Sequence, residues 1–178
     1  MFPQTYSIPK DATAGAVIEI FTNEFNKQVT AKMRQDIKSR GMTLDEVIIL
    51  ASIVEREGNS DTDRPMIAGV LLNRLKKGMP LQADATVQYA LNRYDYKNKT
   101  WWKKELTADD LAVKSVYNTY LHPGLPPAPI SNPGIKSIEA VIYPKESDYL
   151  FYIHDMKGAA HFARTIEEHN ANVAKYLQ

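Results

Sequence analysis

Two glutamates close the most apolar stretch of the chain: Ile48-Ile49-Leu50-Ala51-Ser52-Ile53-Val54 runs directly into Glu55-Arg56-Glu57-Gly58. A helix that is hydrophobic all round is a buried helix. This one is expected to cross a core and deliver a carboxylate where it emerges. The negative end of the helix macrodipole disfavours an ionised carboxylate there, and partial burial acts in the same direction. A carboxylic acid still protonated near neutral pH is what general acid catalysis requires. Glu55 and Glu57 stand two residues apart, about 200° of rotation on a helix. They share one substrate only if the helix ends between them. The spacing therefore predicts one working acid and one salt-bridge or solvent-facing acid. For Glu55 a plain surface role at the helix end competes evenly with a functional one.

Other chemistry is thinly supported. His122, His154, His161 and His169 show no metal-protease spacing. His154 and His161 are placed to meet across a hairpin, as wall or surface residues rather than ligands, because no third ligand accompanies them. Ser52 and Ser131 lack a glycine-flanked nucleophile elbow. Gly124-Leu125-Pro126-Pro127 is no phosphate cradle, since proline lacks the amide donor. No metal or organic cofactor is implied. Trp101-Trp102 with Tyr94 and Tyr96 offer either stacking platforms for sugar faces or anchors for a loop. Arg74, Lys76 and Lys77 read as cations at a helix C-terminus.

The elements that position these groups follow from periodicity and punctuation. Asp11 is expected to cap one long first helix, with Ile18, Phe21, Phe25, Val29, Met33 and Ile37 on one face and Gly41 at its end. Thr43 and Glu46 form a capping box for the glutamate-bearing helix. A third helix spans residues 65–77, with Ile67, Val70, Leu71 and Leu75 inward and Gly78 as its stop. Asp84 is expected to cap a fourth helix containing Val87, Tyr89 and Leu91. Residues 92–102 form a polar, aromatic loop, and Thr107 with Asp110 starts a short helix. Residues 117–134 carry five prolines and two glycines, which excludes helix or central strand and predicts an ordered wall. Residues 135–142 are helical, residues 149–154 and 161–163 form a hairpin, and Thr165 with Glu168 opens the last helix.

At 178 residues, with 44% hydrophobic and 24% charged side chains, the chain suits one soluble domain with a sizeable core. A net charge of +1 points to no nucleic acid and no anionic surface. The absence of cysteine excludes disulfides, thiol catalysis and thiolate metal sites. No segment reaches membrane-spanning length. The abrupt start at Met1-Phe2-Pro3-Gln4 reads as a domain whose natural N-terminal part is missing.

The motifs together resemble one family. Phe2-Pro3-Gln4-Thr5-Tyr6, Ala51-Ser52-Ile53-Val54-Glu55-Arg56-Glu57, Asn73-Arg74-Leu75, the run from Gly78 through Gln82-Ala83-Asp84-Ala85-Thr86-Val87, Tyr117-Asn118-Thr119-Tyr120, Gly124-Leu125-Pro126-Pro127, Asn132-Pro133-Gly134 and His161-Phe162 occur in this order. The set resembles the endolytic murein transglycosylase family, the MltG or YceG-like group. The resemblance implies an α+β, mainly helical, lysozyme-like domain over residues 1–178 with a small late hairpin. It implies cleavage of the bond between N-acetylmuramic acid and N-acetylglucosamine in peptidoglycan strands, leaving 1,6-anhydro ends. Glu55 is the implied catalytic acid. Gln82 resembles the glutamine of the wider lytic transglycosylase pattern, and Tyr117-Asn118 its tyrosine-asparagine pair. Asn73, Asp84, Thr86, Thr119, Tyr120, Leu125 and Pro126 join them as expected substrate-binding positions. Where the family often has Thr-Asp-Pro-Thr, this chain has Ala83-Asp84-Ala85-Thr86.

The resemblance further implies a bacterial envelope location at the outer face of the cytoplasmic membrane. It admits cell-wall synthesis proteins as partners and a membrane link only through a missing N-terminal anchor, with a LysM-like module also missing. Two rivals remain: a hydrolytic muramidase in which Asp84 activates water, and a catalytically silent glycan-binding or scaffold domain.

Overall fold

A computed structural model describes residues 1–92, 99, 102–103 and 105–177. Its centre is the apolar glutamate-bearing helix, α3 (Leu44–Glu57), in which Val47, Leu50, Ala51, Ser52, Ile53 and Val54 are all buried. Thr43 and Glu46 form the expected capping box at its start. Around it pack α4 (Arg64–Lys76), α5 (Asp84–Leu91) and α7 (Ile135–Ile142), and the last contributes Ile138, Val141 and Ile142 to the same core. The short α6 (Ala108–Leu111) carries the Thr107–Asp110 capping box. One antiparallel hairpin, β1 (Phe151–His154) and β2 (Ala160–Ala163), follows α7, and α8 (Ile166–Tyr176) lies against it. The architecture is mainly helical with a small two-stranded sheet.

The first expected helix is two. α1 (Ala14–Gln28) stops before Val29, and α2 (Ala31–Ser39) starts afresh. Thr30 takes an extended conformation and its hydroxyl caps the Met33 N–H, so a new N-terminus opens where periodicity alone continues. Thr13, not Asp11, caps α1 through the Ala16 N–H. Gly41, at φ 71°, ends α2, and Gly78, at φ 67°, follows α4. Gly69 is required for another reason: a Cβ there would sit 2.6 Å from the Lys145 carbonyl oxygen. Only glycine lets the chain leaving α7 cross α4.

Residues 117–134 form neither helix nor strand, and polar bonds tie them down. Ser52 Oγ accepts from the Ile130 N–H at 2.9 Å, and Ser131 Oγ donates to the Ser52 carbonyl at 2.9 Å. Ser52, buried in mid-helix, thus pins the proline-rich wall to α3.

Candidate active site

α3 stays helical through Glu57, so its two glutamates serve different sides. Glu55 points at the start of α7. Its Oε2 accepts from the Gly134 N–H at 3.0 Å and the Ser137 hydroxyl at 2.6 Å. Gly134 is the N-cap of α7 and has no side chain to cap with. Glu55 supplies the missing acceptor from another helix, where a carboxylate also complements the positive end of the macrodipole. Both of these bonds tie Glu55 to the head of α7.

Glu57 faces a cavity of about 560 Å³ shared with Arg74, Gln82, Asp84, Tyr120 and Tyr152. The Tyr152 hydroxyl donates to its Oε2 at 2.9 Å, and the Ala85 N–H lies 3.4 Å from its Oε1. Burial raises the Glu57 pKa. The Tyr152 and Ala85 hydrogen bonds oppose the rise, Asp84's negative charge adds to it, and His154 opposes it weakly. The net shift is upward, as a proton donor near neutral pH requires.

One rim of the cavity is residues 82–84, held by a threonine lock. Thr86 and Thr119 hydroxyls meet at 2.8 Å, the Ala83 N–H donates to Thr119 Oγ1, and the Gln82 N–H donates to the Thr119 carbonyl. Both threonines are buried. Asn118 is fully buried and holds the adjoining turn: its amide donates to the Leu111 and Val113 carbonyls, and its Oδ1 accepts from the Tyr120 N–H. The lock aims Tyr120 so that its hydroxyl donates to Asp84 Oδ1 at 2.5 Å. Burial, reinforced by Asp84, pushes the Tyr120 pKa up, so it stays a neutral donor.

Asp84 is not the expected N-cap. Ala83 occupies that position and Asp84 is the first helical residue, its carboxylate turned to Tyr120 instead. Arg74 stands in the last turn of α4, as a helix-end cation should, but its head is turned inward. It is 7% exposed and donates to the Leu81 carbonyl at 2.9 Å and to Gln82 Oε1 at 2.6 Å.

Of the expected substrate-binding residues, Gln82, Asp84 and Tyr120 line the Glu57 cavity, while Thr86, Asn118 and Thr119 support its rim. Tyr117 packs against Tyr89, ring centroids 4.8 Å apart. Asn73 is spent on structure, its amide donating to the Ser147 and Tyr149 carbonyls. With Leu125 it borders a separate cavity of about 770 Å³, and Pro126 is buried. Tyr94, Tyr96 and Trp101 lie outside the described residues. Trp102 carries the Arg56 guanidinium 3.9 Å from its ring centroid.

Sequence reasoning missed Arg74, Tyr152 and His154 as cavity residues. The alternation Phe151-Tyr152-Ile153-His154 is the signal that places Tyr152 and His154 on one strand face. His154 and His161 do not meet: His154 pairs with Ala160 and His161 with Ile153, on opposite faces. His154 Nε2 sits 3.4 Å from Asp63 Oδ2, a contact without hydrogen-bond geometry. His161 bonds Asp155 at 3.0 Å and stacks on Tyr176. No cluster of three metal-binding side chains occurs among the described residues.

The family model described as YceG-like matches residues 1–175. The endolytic murein transglycosylase of Bacillus subtilis (strain 168) is 35% identical over 178 residues, 99% of this chain and 47% of that protein. The protein of the same name from Streptococcus pneumoniae serotype 2 (strain D39) is 34% identical over 99% of this chain and 32% of its own length. A crystal structure of a YceG-like protein from Listeria monocytogenes superposes with a TM-score of 0.83 at 40% identity, covering 96% of this chain and 53% of that one. The chain thus spans about half or less of the length of these relatives.

Proposed function

This chain belongs to the YceG-like family, and from that premise we propose that it is the catalytic unit of an endolytic murein transglycosylase, with Glu57 rather than Glu55 as proton donor. One observation carries the choice. Glu57 is the carboxylate whose pKa is raised and which shares a cavity with Gln82, Asp84 and Tyr120, whereas both hydrogen bonds of Glu55 hold α7.

Protonated Glu57 gives its proton to the oxygen linking N-acetylmuramic acid to N-acetylglucosamine, and the C1–O bond breaks. The substrate's 2-acetamido carbonyl meets the positive charge at C1. The Glu57 carboxylate then takes the C6 hydroxyl proton as O6 bonds to C1, closing the 1,6-anhydro ring. Glu57 ends protonated, as it began, and no water is consumed. Tyr152 steadies the carboxylate while it is ionised. A lysozyme-like arrangement of helices about the acid is part of this proposal. So are action on peptidoglycan at the outer face of the cytoplasmic membrane and partners among cell-wall synthesis proteins. No described helix is long and apolar enough to cross a membrane.

A hydrolytic muramidase is the second reading, favoured by Asp84 being free of a capping role and lining the same cavity. Digestion of purified peptidoglycan in water enriched in heavy oxygen separates the two. Unlabelled anhydro ends support transglycosylation, and labelled reducing ends support hydrolysis.

A further inference from the structure

Gln82 is held in an unusual state by a buried cation. Its φ is 49°, the left-handed region that non-glycine residues adopt rarely and at a cost. Two bonds hold it there: its N–H donates to the Thr119 carbonyl at 3.1 Å, and its Oε1 accepts from Arg74 Nη2 at 2.6 Å. Arg74 comes from the last turn of α4, stacks 5.3 Å from the Phe151 ring and makes no ion pair with any described carboxylate. A buried cation without a carboxylate is expensive to keep, so its task at this position calls for explanation.

Guanidinium donates and never accepts. Arg74 therefore forces the Gln82 amide into one orientation, oxygen inward. The amide nitrogen, with two N–H donors, is left on the cavity side, where Gln82 is exposed. Glutamine amides ordinarily leave that orientation open; here a neighbour of fixed polarity settles it.

We propose that Arg74 is a positioning residue that locks Gln82 as a donor for a neutral carbonyl oxygen, that of the 2-acetamido group of a bound sugar. Asp84 lines the same cavity, and its charge disfavours an anionic group such as a lactyl or peptide carboxylate. The guanidinium is itself buried and turns its terminal nitrogens to Leu81 and Gln82, and its Nε is shut away from a ligand. A neutral acceptor is the group that remains. This inference rests on the proposed glycan substrate and adds the atom-level basis of its recognition.

The test measures binding by calorimetry, separately from cleavage. All proteins carry Glu57→Gln, so the ligand is not consumed. The probes are a peptide-free tetrasaccharide of alternating N-acetylglucosamine and N-acetylmuramic acid and a neutral counterpart with 2-hydroxyl groups in place of the 2-acetamido groups. The Glu57→Gln protein is expected to prefer the acetylated probe by about tenfold or more, as a site built to hydrogen-bond a group rejects the analogue lacking it. Adding Gln82→Glu keeps the bond to Arg74 and the melting temperature but removes the donor, and is expected to abolish that preference. Adding Arg74→Lys removes the fork that fixes the amide and is expected to weaken the preference with the fold retained. Preference undiminished in the Gln82→Glu protein overturns the proposal, and so does full preference in a folded Arg74→Lys protein. Failure of the Glu57→Gln protein to bind either probe overturns the glycan reading itself, a separate result.

Discussion

Glu55 and Glu57 occupy one helical turn and hold different parts of the molecule: the first takes the Gly134 N–H and Ser137 hydroxyl at the head of α7, the second takes the Tyr152 hydroxyl inside the cavity. Two acids separated by Arg56 alone thus have different partners.

Glu55→Ala should destabilise the protein. It strands the Gly134 N–H and the Ser137 hydroxyl at a helix N-terminus, a loss of about 1–3 kcal/mol. For a chain this size that is a fall of roughly 2–4 °C in melting temperature per kcal/mol. Thermal melts check it; an unchanged Tm contradicts the anchoring role.

Glu57→Gln should behave in the opposite way with pH. The folded pKa of Glu57 is raised, so between its unfolded and folded pKa values the folded state binds more protons. Stability from this group is highest below the unfolded value and falls as pH rises toward the folded one. Gln escapes that penalty and keeps an oxygen for Tyr152. The variant should be as stable as the wild type at neutral pH or more so, with its advantage vanishing in acid. Urea midpoints at matched pH values measure this, and a variant clearly weaker at neutral pH contradicts it.

Tyr152→Phe and Asp84→Asn should move the alkaline limb of the kcat/KM profile in opposite directions. The Tyr152 hydroxyl lowers the Glu57 pKa and the Asp84 charge raises it. A general acid works only while protonated. The phenylalanine variant should therefore lose activity at higher pH than wild type, and the asparagine variant at lower pH. Rate profiles with the two limbs shifted alike would show that another group governs the limb.

Thr119→Val should loosen the cavity rim. It strands the buried Ala83 N–H and breaks the contact with Thr86, at about 1–3 kcal/mol. Urea unfolding measures the loss. Glycan affinity should fall with it, because Gln82 and Asp84 ride on that rim; wild-type stability and affinity together contradict the lock.

Much of this was legible in the chain. The Thr43–Glu46 and Thr107–Asp110 boxes, Gly41 and Gly78 after their helices, α7 at residues 135–142 and the late hairpin are local signals, and local chemistry decides them. The break at Thr30 was hidden because a heptad-like apolar face runs straight across it. Asp84 reads as a cap by residue type, but Tyr120, 36 positions away, claims its carboxylate. The environment of each glutamate was out of reach for the same reason. It depends on Gly134, Ser137 and Tyr152, which only the tertiary fold brings to α3. Arg74 looks like an ordinary helix-end cation until the fold buries it.

The most direct test is a side-by-side assay of Glu57→Gln and Glu55→Gln on purified peptidoglycan, with released strands read by mass spectrometry. Glu57→Gln should lose the 1,6-anhydro products by roughly 10²–10⁴-fold while remaining folded. Glu55→Gln, which keeps one oxygen for the head of α7, should retain most of the activity at temperatures below its melt. Loss of the anhydro products in a folded Glu55→Gln protein, with Glu57→Gln still active, would contradict the assignment of Glu57 as the acid.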